Sequence, residues 1–263
     1  MTKFTATAAI LSLSVSLSLA AESPAQDTAV PADVTQQIAK LQSGSPKQKV
    51  QAARSLGEMG ARAAPSVPYL IELIDSPEKY ESLWNKFWNT VTLLGSSGDY
   101  VLYESQQALI KIGRPAVLPL STALLKHPRP RVRGNAAIVL GNIRDVQSVE
   151  PLITALRTDT DDGVRMWSAE ALGKLAERWS IDSLGNAVLA LMEALKDDDS
   201  NVRQKAAYAL GRMKAMKAVP ALIEALRTYG RDSEAGLALF MITGQRLGDD
   251  PQKWQEWWNK NRR

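Results

Sequence analysis

The stretch 201–228, NVRQKAAYALGRMKAMKAVPALIEALRT, recurs along the chain, and that recurrence constrains the fold more than any other feature. Its first half is alanine-rich. Val202, Ala206, Ala207, Leu210, Gly211 and Met213 return as Val132, Ala136, Ala137, Leu140, Gly141 and Ile143, and again as Val164, Ser168, Ala169, Leu172, Gly173 and Leu175. Val50, Ala53, Leu56, Gly57 and Met59 make an earlier copy; Tyr103, Leu109 and Ile112 make a degenerate one; Ala235, Leu239 and Ile242 make a partial last one. The leucine column Leu56, Leu109, Leu140, Leu172, Leu210 and Leu239 has steps of 53, 31, 32, 38 and 29 residues. The short steps give the basic period and the long ones mark insertions.

The second half repeats as Val67/Leu70/Ile74, Val117/Leu120/Leu124, Val149/Leu152/Leu156, Val188/Leu191/Leu195 and Val219/Leu222/Leu226. Steps of three and then four residues put each trio on one helical face. Alanines on the first helix let two helices approach closely, and leucines fill the gap. Neither helix can bury its stripe alone, whereas stacked pairs bury a continuous core. The chain is therefore expected to be all-α, an α-α superhelix of about five to six helix pairs.

The run "VR…AA…LG" followed by "AVPALIEAL" resembles the short HEAT-like repeats, the group also called phycocyanobilin lyase-like. The resemblance spans about residues 46–244. It implies a helical solenoid and, for most of the family, an interaction scaffold, with a few enzymes among its members. It also implies a role for Asp161, Asp162, the run Asp197 to Asp199, and Arg133, Arg165 and Arg203: a ladder of caps and ion pairs between repeats. An anion at a helix N-terminus contributes about 0.3–1 kcal/mol.

The N-terminus carries Lys3, then an apolar, serine-rich run to Leu19, then small residues at Ala20 and Ala21. This is the layout of a secretory signal. Residues 1–20 are expected to be a signal peptide, with cleavage between 20 and 25, and residues 21–32 a flexible leader. Residues 33–263 then form the solenoid, opened by a capping helix with Asp33 as N-cap and closed after Gly44. The run is short for an uncleaved anchor across a bilayer core of about 30 Å, and no later segment reaches 18 apolar residues, so stable membrane insertion after cleavage is not expected. The expected location is secreted or periplasmic.

Two insertions interrupt the period. In 77–100, Tyr80, Trp84, Phe87, Trp88, Val91 and Leu94 fall at helical spacing and predict an extra amphipathic helix. The second, around 177–185, carries Trp179 and Ile181. At 249–263, Asp250 can cap, Pro251 suits the first helical position, and Trp254, Trp257 and Trp258 share a face, which suits a lid on the open end of a solenoid.

Chemistry is sparse. The absence of cysteine removes disulfides, thiol nucleophiles and thiolate metal sites. The single histidine, His127, lies in an inter-repeat loop and is expected at the surface. It cannot build a His/Cys zinc site or the His-rich di-iron centre of HEAT-type deoxyhypusine hydroxylases. No metal, cofactor or catalytic residue is expected, and the chain is read as a non-enzyme. A net charge of +4 without a Lys/Arg run, and glutamates on the second helices, argue against nucleic acid.

The expected function is an exported scaffold that binds another protein or peptide segment through its concave face; the alternative is a lyase-like protein acting on a chromophore or a covalently modified protein. With the second helices taken to line that face, the side chains the core does not need are Tyr69, Glu72, Thr122, Lys126, Thr154, Arg157, Glu193, Glu224 and Arg227, bordered by Trp84 and Trp88.

Overall fold

The computed structural model describes residues 30–76, 79–80, 99–230 and 234–262, with the backbone alone at 79–80 and 99–100. Residues 31–263 form one compact unit. The expected signal peptide, the expected leader up to residue 29, and Trp84, Phe87, Trp88, Val91 and Leu94 lie outside the described residues.

The described chain is a stack of helix pairs. α1 (Ala32–Ser43) precedes the first pair, α2 (Pro46–Met59) and α3 (Val67–Leu73). The second pair is α4 (Val101–Ile112) and α5 (Val117–Lys126), the third α6 (Pro130–Ile143) and α7 (Val149–Thr158). The fourth is α8 (Asp162–Leu175) and α9 (Gly185–Ala194), the fifth α10 (Ser200–Arg212) and α11 (Val219–Tyr229). α12 (Ala235–Thr243) is a first helix, and α13 (Pro251–Asn261) closes the stack. A short antiparallel bridge joins β1 (Lys79–Tyr80) to β2 (Asp99–Tyr100), with Lys79 opposite Tyr100. The expected helical stripe of the insertion began at Tyr80, whose backbone is extended instead.

Side-chain oxygens start several of these helices. Ser45 and Gln48 form a capping box on α2, and Asp161, Asp199 and Asp250 accept backbone N–H groups at α8, α10 and α13. Each cap satisfies donors that the helix cannot. Asp33 is not the cap of α1: Pro31 holds that position, and Asp33 sits inside the first turn. There its carboxylate accepts from the Val34 N–H and pairs with Arg62.

The repeated apolar positions form one continuous core. Leu56, Leu109, Leu140, Leu172, Leu210 and Leu239 are all fully buried, as are Leu70, Leu120, Leu152, Leu191 and Leu222 on the second helices. The degenerate second unit is read differently by the structure. Tyr103 is 46% exposed, and the buried residue at the Val position is Val101.

The two rows of helices are not packed alike. A Cβ added at Gly57 would lie 3.0 Å from Ala108 Cα, at Gly141 2.8 Å from Ala171 Cα, at Gly173 2.9 Å from Ala209 Cβ, and at Gly211 3.1 Å from Ala238 Cα. Neighbouring first helices thus touch backbone to backbone. The second helices contain only Gly185, with nothing within 4 Å of its added Cβ.

Candidate partner-binding surface

The side chains expected to bind a partner are exposed where they are described, but they are already engaged with one another. Glu72 of α3 accepts from Arg129 Nη2 at 2.8 Å, and His127 Nε2 lies 3.4 Å from its other oxygen. His127 is therefore more than a surface loop residue: its side chain is 13% exposed. Its Nδ1 accepts from the Arg129 N–H, so in the neutral ring Nε2 carries the proton toward Glu72. Arg157 Nε and Nη2 grip both oxygens of Glu193 at 2.7 and 3.1 Å, tying α7 to α9. Glu224 and Arg227 pair within α11. The Thr122 and Thr154 hydroxyls donate back to carbonyls of their own helices, Leu118 and Glu150. Tyr69 in the first turn of α3 and Lys126 at the end of α5 stand exposed.

The close backbone contacts run along the first helices, at Gly57, Gly141, Gly173 and Gly211, and the second helices have no counterpart.

The first helices carry a partly exposed row of their own, built from the positions three, six and ten residues after each Val of the repeat, which share one side of the helix. They are Asn135, Ile138 and Asn142 on α6, Trp167, Glu170 and Lys174 on α8, and Lys205, Tyr208 and Arg212 on α10. Polar bonds run from helix to helix across this surface. Arg54 of α2 meets Glu104 of α4 at 2.8 Å, and Gln106 of α4 donates to Asn135 at 3.1 Å. Lys174 of α8 lies 3.4 Å from Asn142 Oδ1, and Lys205 of α10 lies 2.7 Å from Glu170. Lys205 also stands 5.9 Å from the Trp167 ring, a cation–π distance. Burial pushes the Glu170 carboxyl up, but the Lys205 and Lys174 ammonium groups outweigh it and hold the group below its ordinary value. The surface is polar, aromatic at Trp167 and Tyr208, and mostly half-covered. Its signal in sequence was the large polar residue recurring at those offsets.

The edge where each second helix hands over to the next first helix holds the ladder implied by the repeats. Arg133 grips Asp159 with both arms at 2.7 Å, and Arg165 grips Asp197 at 2.9 Å. Arg203 donates instead to the Asp197 and Asp198 carbonyls and stacks 4.2 Å from the Tyr229 ring. Burial pushes the Asp159 and Asp197 carboxyls up, yet the arginine hydrogen bonds and backbone N–H groups bring both below the usual range. These arginines are bound inside the scaffold.

At the far end, Trp254 is fully buried on α13 and its Nε1 donates to the Gly248 carbonyl at 2.7 Å. Trp257 meets it edge-on at 6.2 Å. Among the described residues no single helix is long and apolar enough to cross a membrane.

Comparison with known proteins places this architecture. No curated protein matches the chain. Among solved structures, the complex of CpcE and CpcF of phycocyanin lyase from Nostoc sp. PCC7120 is similar at 20% identity, over 66% of this chain and 98% of that one, with a TM-score of 0.50. An engineered protein aligns at 22% identity over 81% of this chain and 96% of its own, TM-score 0.46. A chain of the Kap95p–RanGDP structure aligns at 16% identity over 80% of this chain and 31% of its own, TM-score 0.49. At these identities the likeness concerns fold. The family model for the PBS lyase HEAT-like repeat matches residues 48–76. That for HEAT repeats matches residues 90–173 and 175–239, more than half the chain, and the protein belongs to the HEAT-repeat family.

Proposed function

We propose that the protein is an exported, non-catalytic scaffold that binds an extended segment of another protein along the polar row of its first helices. The observation that carries this reading is the polar row from Asn135 through Glu170 to Lys205, with Trp167 and Tyr208 beside it. A continuous surface of half-covered polar groups and aromatic rings suits a peptide backbone and its side chains better than a small substrate. The titratable groups there are spent on one another in ion pairs, which supports a binding role over proton transfer. Export rests on Lys3 and the apolar run that follows it.

Cross-linking in intact cells with mass spectrometry tests the scaffold reading. Partners should cross-link to the first helices, and E170K/K205E should lose them while E193K/E224K keeps them. Turnover of a small molecule with no captured protein would overturn it. N-terminal sequencing of envelope material should begin between residues 21 and 26; an intact Met1 in a cytoplasmic pool would remove export.

A further inference from the structure

A second surface lies on the opposite edge from the arginine ladder, where each first helix turns into its own second helix. In the third and fifth units this turn is a short 3-10 segment, Val146–Ser148 and Met216–Ala218. In the fourth unit the turn is longer, and Trp179 at its start folds back so that its Nε1 donates to the Arg144 carbonyl of the third unit at 2.8 Å. The ring walls off a cleft of 520 Å³ between the second, third and fourth turns. Ile110, Ile143, Val146 and Trp179 supply apolar surface, and Arg114 and Arg178 stand in its lining.

Both arginines are exposed. Arg114 is 76% exposed and forms a long ion pair, 3.8 Å, with Asp145, which also lines the cleft. Arg178 is exposed and lies 5.9 Å from the Trp179 ring. The turns of the second to fifth units hold Arg114, Arg144, Arg178, Lys214 and Lys217 against Asp145, Glu177 and Asp182, so this edge carries an excess of positive charge. On the other edge the carboxylates Asp159 and Asp197 are matched by Arg133 and Arg165.

We propose that this cleft docks an acidic segment of a partner protein, one that inserts an apolar side chain against Trp179 while flanking carboxylates engage Arg114 and Arg178. The apolar floor favours a peptide over a free anion or a lipid headgroup, which would need only the cations. Planar guanidinium groups suit carboxylates in two-point contacts. The cleft meets the first-helix row at Asn142 but is lined by neither Glu170 nor Lys205.

The probe is a fluorescein-labelled peptide with two central leucines between aspartate and glutamate pairs, titrated into the full chain and followed by anisotropy. Saturable binding is expected, weakened about tenfold or more by R114E/R178E and by W179A, and unchanged by E170K/K205E, which separates this site from the first-helix row. R114E/R178E alters exposed side chains and should melt like the parent, so its result stands even if W179A unfolds. Unchanged binding to R114E/R178E would overturn the proposal. So would equal binding of the peptide with its leucines replaced by serine. Arginine-dependent capture by phosphatidylglycerol vesicles with no peptide binding would also overturn it, in favour of a lipid surface.

Discussion

A single hydrogen atom at Gly141 decides how near two first helices come. Its added Cβ would fall 2.8 Å from Ala171, closer than real side chains approach, and the contact is backbone, which cannot swing away. Gly141→Ala should therefore destabilise by about 1–3 kcal/mol in urea denaturation. Gly185→Ala, with nothing within 4 Å, should be neutral or slightly stabilising. Arg133 acts through charge instead. Removing it strands Asp159, which is largely buried, and Arg133→Ala should cost about 1–3 kcal/mol. The sign of the pH effect follows from the depressed carboxyls. Asp159 and Asp197 bind protons less readily folded than unfolded, so their stabilisation is complete above the unfolded value near about 4 and is lost as pH falls through the lower folded values. Acid unfolding of R133A/R165A should shift to higher pH, because the buried carboxyls then protonate sooner; an unchanged acid midpoint would show that the ladder carries no linkage.

Elements in this protein stand on their neighbours, so damage should stay local. α13 is the clearest case. Trp254 is its one fully buried side chain, with its ring nitrogen bonded to Gly248. Trp254→Ala should cost about 3–5 kcal/mol where the cap meets the stack. Hydrogen exchange should rise in α12 and α13 and stay unchanged in α2 and α3. Uniform loss of protection along the chain would mean that the stack behaves as one cooperative block. The fourth unit shows an element altered for another purpose. Its longer turn costs the compact 3-10 connection of its neighbours, and places Trp179 over the third unit.

At the scale of the whole molecule the two rows differ, since one carries glycine at its contacts and the other does not. Replacing Gly141 and Gly173 together by alanine should push first helices apart, seen as a changed radius of gyration in small-angle scattering of the folded variant. An unchanged radius in a folded variant would show that the stack absorbs the added methyl groups without moving its helices. The α4–α6 step already lacks that glycine, because Ile110 stands where the other units have Gly57, Gly141, Gly173 and Gly211. It is the least closely packed step among first-helix neighbours.

The arginine ladder was legible only through the resemblance to HEAT-like repeats. The sequence by itself determined the helix pairs, their period and the buried leucine columns. Each of these rests on residues a fixed number of positions apart, and helical geometry converts such spacing directly into a shared face. It also supplied the caps at Asp161, Asp199 and Asp250, whose hydrogen bonds are local. Tyr103 misled because one degenerate copy offers several registers, and burial of Val101 chose among them. The tertiary structure alone decided which row packs backbone to backbone, since that depends on Gly-to-Ala distances between helices some thirty residues apart. It alone gathered Arg114, Arg178, Lys214 and Lys217 on one edge, with Asp145, Glu177 and Asp182 among them. In sequence these cations never form a run; only the regular return of the chain to the same edge makes them neighbours.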